Sequence, residues 1–138
     1  MCSSFRRTSR ALTQQYEQAL RPLGMRVAQF TILQVLSLAG EVSQGQLGEM
    51  LVLDSTTLTR TLAIMVRLGW IAERRGLDRR QRRLRLAKAG ERQLRRALPE
   101  WRDVQERLRR HIGKQTWARL LQLNNQVTRV VTNQGESV

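Results

Sequence analysis

At 138 residues and 16.0 kDa the chain is the size of one domain, or of one small domain with appendages. Its 41% hydrophobic content is too high for a disordered basic tail. Lys and Arg total 25 against 11 Asp and Glu, and the resulting net charge of +14 calls for an anionic partner or a dispersed surface, nucleic acid being the commonest such partner. One cysteine, Cys2, and one histidine, His111, argue against an internal disulfide, a structural metal, a cofactor site and His-based catalysis. There is also no paired-carboxylate or Gly-rich phosphate motif, so an enzyme is not expected. The longest run without a charged side chain, Val27 to Gly40, has 14 residues, short of the about 18 that a membrane span needs. Arg6, Arg7 and Arg10 have no apolar run behind them, so no secretory signal and a cytoplasmic location are expected.

In chain order, residues 5–23 place Phe5, Leu12, Tyr16, Leu20 and Leu23 near helical spacing, and Pro22 and Gly24 end that helix. Residues 27–39 read as a more buried helix around Phe30, Ile32, Leu33 and Leu36, stopped by Gly40. Ser43 with Gln46 is a capping-box pattern that opens a short helix to about Val52. Asp54 caps the next helix, Ser55 to Leu68, and Gly69 ends it. Two helices joined by a tight turn form a helix-turn-helix. Trp70 to Arg75 reads as a strand, residues 76–80 as a polar tip, and Gln81 to Leu86 as an alternating strand with Leu84 and Leu86 inward and Arg83 and Arg85 outward. The expected fold is therefore mainly α with a small β-hairpin wing. A winged helix-turn-helix over 25–90 is flanked by dimerisation helices at 1–24 and 91–132, with a frayed tail at 133–138. Pro99 is expected to kink the long helix that follows the wing.

The terminal helices each carry an apolar stripe that one small domain cannot bury. The economical arrangement is a two-fold homodimer, with Leu12, Leu20, Leu108, Ile112, Trp117, Leu120, Leu121 and Val127 as interface candidates. A monomeric bundle beside the domain is the alternative. A two-fold protein also matches a palindromic site on double-stranded DNA.

Charge concentrates where the wing lies. Eleven basic residues fall between Arg74 and Arg96, against Asp78 and Glu91. On the helix from Ser55, residues Leu58, Leu62 and Met65 share the core face, and Thr56, Thr59, Arg60, Ala63, Ile64 and Arg67 the opposite one. Thr56, Thr59 and Arg60 are the candidates for base readout, Arg60 because its planar fork matches guanine O6 and N7. Ser55, Thr57, Arg67, Arg74, Arg75, Arg82, Arg83 and Arg85 are candidates for the DNA backbone, Ser55 and Thr57 serving either there or as caps. Asp78, Arg79 and Arg80 form the wing tip, and Arg suits a narrow minor groove. A non-specific architectural DNA-binding protein, favoured only by the charge, is the alternative function.

Several pieces in order resemble the MarR family of bacterial regulators. They are Pro22-Leu23-Gly24 before Gln29-Phe30, Gln46-Leu47-Gly48, Asp54-Ser55-Thr56-Thr57-Leu58-Thr59-Arg60, Leu68-Gly69-Trp70-Ile71, Asp78-Arg79-Arg80, and Leu84-Arg85-Leu86-Ala87-Lys88-Ala89-Gly90. The resemblance covers roughly Leu12 to Leu123. It implies a homodimeric winged helix-turn-helix repressor or activator, often released from DNA by a small ligand or an oxidant, with a wing Arg in the minor groove and Asp78 helping to hold the hairpin. Ala87 stands where the family usually has a Thr or Ser cap, a loss of about 1 kcal/mol at the helix start. Gly48 replaces the usual Ala. Cys2, 14 residues before Tyr16, is similar to the organic-hydroperoxide-sensing branch, although Arg6 and Val27 stand where that branch has tyrosines; the plain alternative is an inert thiol. The family also implies an effector pocket, for which Tyr16, Phe30 and Trp101 are the candidates.

Overall fold

The computed structural model of the protein describes residues 1–78 and 80–133. Wing-tip Arg79 and the tail 134–138 lie outside the described residues. The elements are α1 (Cys2–Leu20), a 3-10 turn (Arg21–Leu23), α2 (Val27–Ala39), β1 (Val42–Ser43), α3 (Gln44–Leu51), α4 (Ser55–Arg67), β2 (Ile71–Arg75), β3 (Arg82–Leu86), α5 (Lys88–Ile112) and α6 (Lys114–Asn133). They fall into two compact units, Met1–Trp101 and a second beginning at Arg102.

The first unit is built on one aliphatic core. Met25, Phe30, Ile32, Leu33 and Leu36 come from the α2 region, Leu47 from α3, and Leu58, Leu62 and Met65 from α4; Val42, Ile71 and Leu84 come from the sheet. Each such fully buried side chain contributes about 1.5–3 kcal/mol. Leu20 of α1 and Leu94 and Ala97 of α5 belong to the same core. The core therefore extends beyond the 25–90 span expected from the sequence. Leu20, expected at a dimer interface, has no exposed surface and cannot serve there. The reason is local: the turn at Arg21–Leu23, with Pro22 in its first positions and Gly24 in the left-handed region at φ +66°, folds the end of α1 back onto α2.

The join between α1 and α2 is polar as well. Glu17 Oε1 accepts the Val27 amide at 3.0 Å, satisfying an orphan donor of α2, and its other oxygen pairs with Arg26 at 3.1 Å. Gln29 Oε1 accepts the Arg26 amide at 2.9 Å.

The sheet has three antiparallel strands in the order β1-β3-β2. Val42 pairs with Leu84 and Ser43 with Arg83; on the other side Ile71 pairs with Leu86, Glu73 with Leu84, Arg74 with Arg83, and Arg75 with Arg82. β1 was not expected. Two residues carry no alternation to read, and they become a strand only by pairing with a segment some forty positions away.

α1 begins at Cys2, earlier than the expected Phe5, since no Pro or Gly precedes Pro22. α5 runs through Pro99 without a break in the helix. Pro removes one donor, and burial of Leu94 and Ala97 on the preceding turn outweighs that loss. In the second unit, α6 buries none of its residues. Among the described residues no helix is long and apolar enough to cross a membrane.

Candidate nucleic-acid interface

The helix-turn-helix is assembled by local caps. Ser43 Oγ accepts the Gln46 amide at 3.1 Å and Gln46 Oε1 accepts the Ser43 amide at 2.9 Å, the reciprocal box that the sequence pattern predicts. α3 ends on Val52, which sits in the left-handed region at φ 52°, an uncommon place for a β-branched residue. Asp54 then caps α4. Its carboxylate accepts the Thr57 amide at 2.9 Å and the Thr57 hydroxyl at 2.7 Å. These two bonds, the amide first, hold the Asp54 carboxyl below its ordinary value. Thr57, offered as a cap or a phosphate contact, spends its hydroxyl proton on the cap.

α4 buries Leu58, Leu62 and Met65 and exposes Ser55, Thr56, Thr59, Arg60, Ala63, Ile64 and Arg67, the division expected from its spacing. The Gln44 side chain donates from Nε2 to Thr59 Oγ1 at 2.8 Å, tying the start of α3 to the exposed face of α4. That contact leaves the Thr59 hydroxyl proton free for another acceptor. Sequence reading missed Gln44, because the contact joins residues fifteen apart on two helices.

α4 ends in a left-handed glycine stop. Gly69 has φ +73°, its amide donates to Val66 O at 3.0 Å, and the Trp70 amide donates to Met65 O at 3.0 Å. The Trp70 carbonyl accepts from Ala87 at 3.0 Å, where α5 begins.

The wing is a β2–β3 hairpin closed by Gly76 N to Gln81 O at 2.8 Å and Gln81 N to Asp78 O at 2.9 Å. Asp78 Oδ1 also accepts the Arg80 amide at 3.1 Å, consistent with the hairpin-holding role implied by the family pattern. Leu77, beside it, is fully exposed. The register sets Arg74 directly opposite Arg83 and Arg75 directly opposite Arg82, two like-charged rungs that repel. Each is relieved by a glutamate. Glu73 pairs with Arg82 at 2.9 Å. Glu41, just before β1, takes Arg74 in a two-bond fork at 2.9 and 2.5 Å and Arg83 Nε at 3.2 Å. Hydrogen bonding to Arg74, then to Arg83, holds the Glu41 carboxyl below the usual carboxylate range. Three of the arginines expected at the DNA backbone, Arg74, Arg82 and Arg83, are therefore ion-paired within the fold. Arg75, Arg80 and Arg85 are exposed and have no ion pair among the described residues. Glu41 was missed by sequence reading. The available signal was that it is the only acid between Glu17 and Glu49.

The aromatic residues expected around an effector pocket fill their own space. Trp101 stacks on Tyr16 with ring centroids 4.0 Å apart and on Phe30 at 4.2 Å. Phe30 is fully buried, and burial pushes the Tyr16 phenol above its ordinary value. These rings pack together where α1, α2 and α5 meet. A surface cleft of about 500 Å³ lies elsewhere, lined by Leu36, Leu94 and Leu98 together with Arg85, Arg95, Glu41 and Glu91. Cys2 is exposed in the first turn of α1, one turn from Arg6.

The comparisons with known proteins cover the interface and the fold around it. A MarR family model matches residues 23–83. The transcriptional regulator MosR of M. tuberculosis, in a crystal structure with DNA, is 33% identical, with 96% of each chain covered and a TM-score of 0.87. The chain belongs to the MarR family. A cysteine-to-serine variant of E. coli MarR complexed with operator DNA shares the MarR fold at 22% identity, with a TM-score of 0.82 over 91% of each chain. An HTH-type transcriptional regulator of Bacillus subtilis, YwoH, is 27% identical over 84 residues, a stretch spanning 61% of the length of either protein. The MarR motif segments quoted from the sequence fall on the turn at Arg21–Leu23, α2, α3, α4, the wing and the start of α5. The family and fold are those of transcriptional regulators.

Proposed function

We propose that the chain is a cytoplasmic, homodimeric, sequence-specific DNA-binding transcription regulator, a repressor released by a small ligand or an oxidant. The observation that carries this reading is the outer face of α4. Thr56, Thr59 and Arg60, in its N-terminal half, contribute nothing to the core and stand open to solvent. A helix entering the major groove uses that part for base contacts. Thr56, Thr59 and Arg60 read base edges; Ser55, Arg67, Arg75 and Arg85 meet phosphates; Arg79 and Arg80 reach the minor groove. The DNA-bound structure of MosR, similar over nearly the whole chain, supports the same use of this fold. The exposed apolar side of α6 supports a second copy of the chain as the partner. The cleft, whose charged lining balances Arg85 and Arg95 with Glu41 and Glu91 around Leu36, Leu94 and Leu98, suits a small effector with an apolar body, and the exposed Cys2 thiol suits an oxidant.

The test is selection of bound duplexes from a random pool. A palindromic consensus whose half-sites lie about 34–36 Å apart is expected, bound far more tightly than scrambled DNA. Arg60→Ala should relax preference at one or two base pairs and cost about 1–3 kcal/mol. A pool that yields no consensus would favour the architectural alternative.

A further inference from the structure

We infer that Glu41 is a positioning residue for the wing: it straps Arg74 and Arg83 across one face of the sheet and withholds both from DNA phosphates. The inference rests on the DNA-binding reading above. Arg74 lies on β2 and Arg83 on β3, directly opposite one another, while Glu41 precedes β1 on the far side of β3. The carboxylate thus reaches past the central strand and joins one edge of the sheet to the other. Its oxygens are occupied: Oε2 by Arg74 Nε, and Oε1 by both Arg74 Nη2 and Arg83 Nε. The Glu41 side chain is only 23% exposed, and so is held in place.

Two consequences follow for DNA. A phosphate approaching Arg74 finds Nε and Nη2 already bonded to both carboxylate oxygens, and it meets that carboxylate's charge on arrival. The wing therefore offers the backbone fewer cations than its sequence contains. Sequence-independent affinity grows with every phosphate neutralised, whereas base contacts are unaffected by it. Holding two arginines back keeps non-specific binding low and the specificity ratio high. The strap also fixes the angle of the hairpin, so that its tip meets the groove in one pose.

The experiment compares the full-length wild type, E41Q and E41D on the selected operator and on a scrambled duplex, across a series of salt concentrations. Release of the two arginines in E41Q should steepen the plot of log affinity against log salt by roughly 1–2 per protomer. Affinity for the scrambled duplex at low salt should rise roughly threefold or more, with a fall in the specificity ratio. E41D, which keeps the charge, should lie between E41Q and the wild type. A purely structural role gives the opposite sign, since a collapsed wing weakens binding to both duplexes and flattens the slope. That result, or an unchanged slope, overturns the inference while leaving the DNA-binding reading intact. A wild type without salt-dependent affinity for either duplex overturns the DNA-binding reading, and the inference with it.

Discussion

A methyl group at position 90 has no room. A Cβ built on Gly90 falls 2.1 Å from the Trp70 carbonyl oxygen and 2.9 Å from its carbon, both backbone atoms that cannot step aside. The same carbonyl accepts the Ala87 amide, so it is held in place as α5 starts. Gly90→Ala gains about 1 kcal/mol in helix propensity and loses more to the clash. The net expectation is destabilisation of about 1–3 kcal/mol, read as a lowered urea midpoint at unchanged slope. Gly48 is the counter-case. Its Cβ would meet Leu58 Cδ2 at 3.4 Å and Leu53 O at 3.5 Å, ordinary contact distances. Gly48→Ala should raise stability by about 0.5–1 kcal/mol. Equal effects of the two substitutions would refute this reading of both sites. Sequence resemblance marks both glycines, one as kept and one as a departure. The opposite signs come only from the coordinates, because the obstacle at position 90 lies twenty residues away.

The elements most legible in the sequence are those whose signals are local. The Ser43–Gln46 box and the Asp54 cap each bond a side chain to a backbone group three residues on, and α3 and α4 begin where those residues predict. The wing arginines were legible by position and not by state, since Glu41 reaches them from 33 and 42 residues away. Tyr16, Phe30 and Trp101 were brought together only by the family resemblance, and their stacking on one another was not legible, since they come from α1, α2 and α5. The Asp54 cap yields a pH prediction. Its folded-state value is depressed, so its contribution is fully present above the unfolded carboxyl value of about 3.9 and is lost as pH falls through the folded value. The gap in urea midpoint between wild type and Asp54→Ala should stay constant from about pH 7 to 5 and narrow below about pH 4. Glu41 and the other carboxylates titrate in both proteins and cancel in the difference. A gap equally wide at pH 3 and pH 7 would show that the charged carboxylate is not what caps α4.

At the scale of the whole molecule, α6 decides what the protein must do in solution. It is 20 residues long and buries none of them, yet Leu120, Leu121, Val130 and Val131 stand exposed along it, Val131 at 62%. A lone amphipathic helix of that length is marginal in water and takes its stability from the surface its apolar side covers. In the proposed dimer a second copy presents the same side and closes the contact by two-fold symmetry. The proposed dimer therefore predicts a wild type that sediments at twice 16.0 kDa and a thermal midpoint that rises with protein concentration. Introducing charge at exposed positions, as in Leu121→Glu with Val131→Glu, should shift the mass toward one chain and reduce affinity for a palindrome to that for a half-site. The two readouts are independent, because concentration dependence in the wild type needs no variant to fold. A wild type that stays at 16.0 kDa at micromolar concentration, with a fixed midpoint, would remove the dimer and require α6 to find its cover elsewhere.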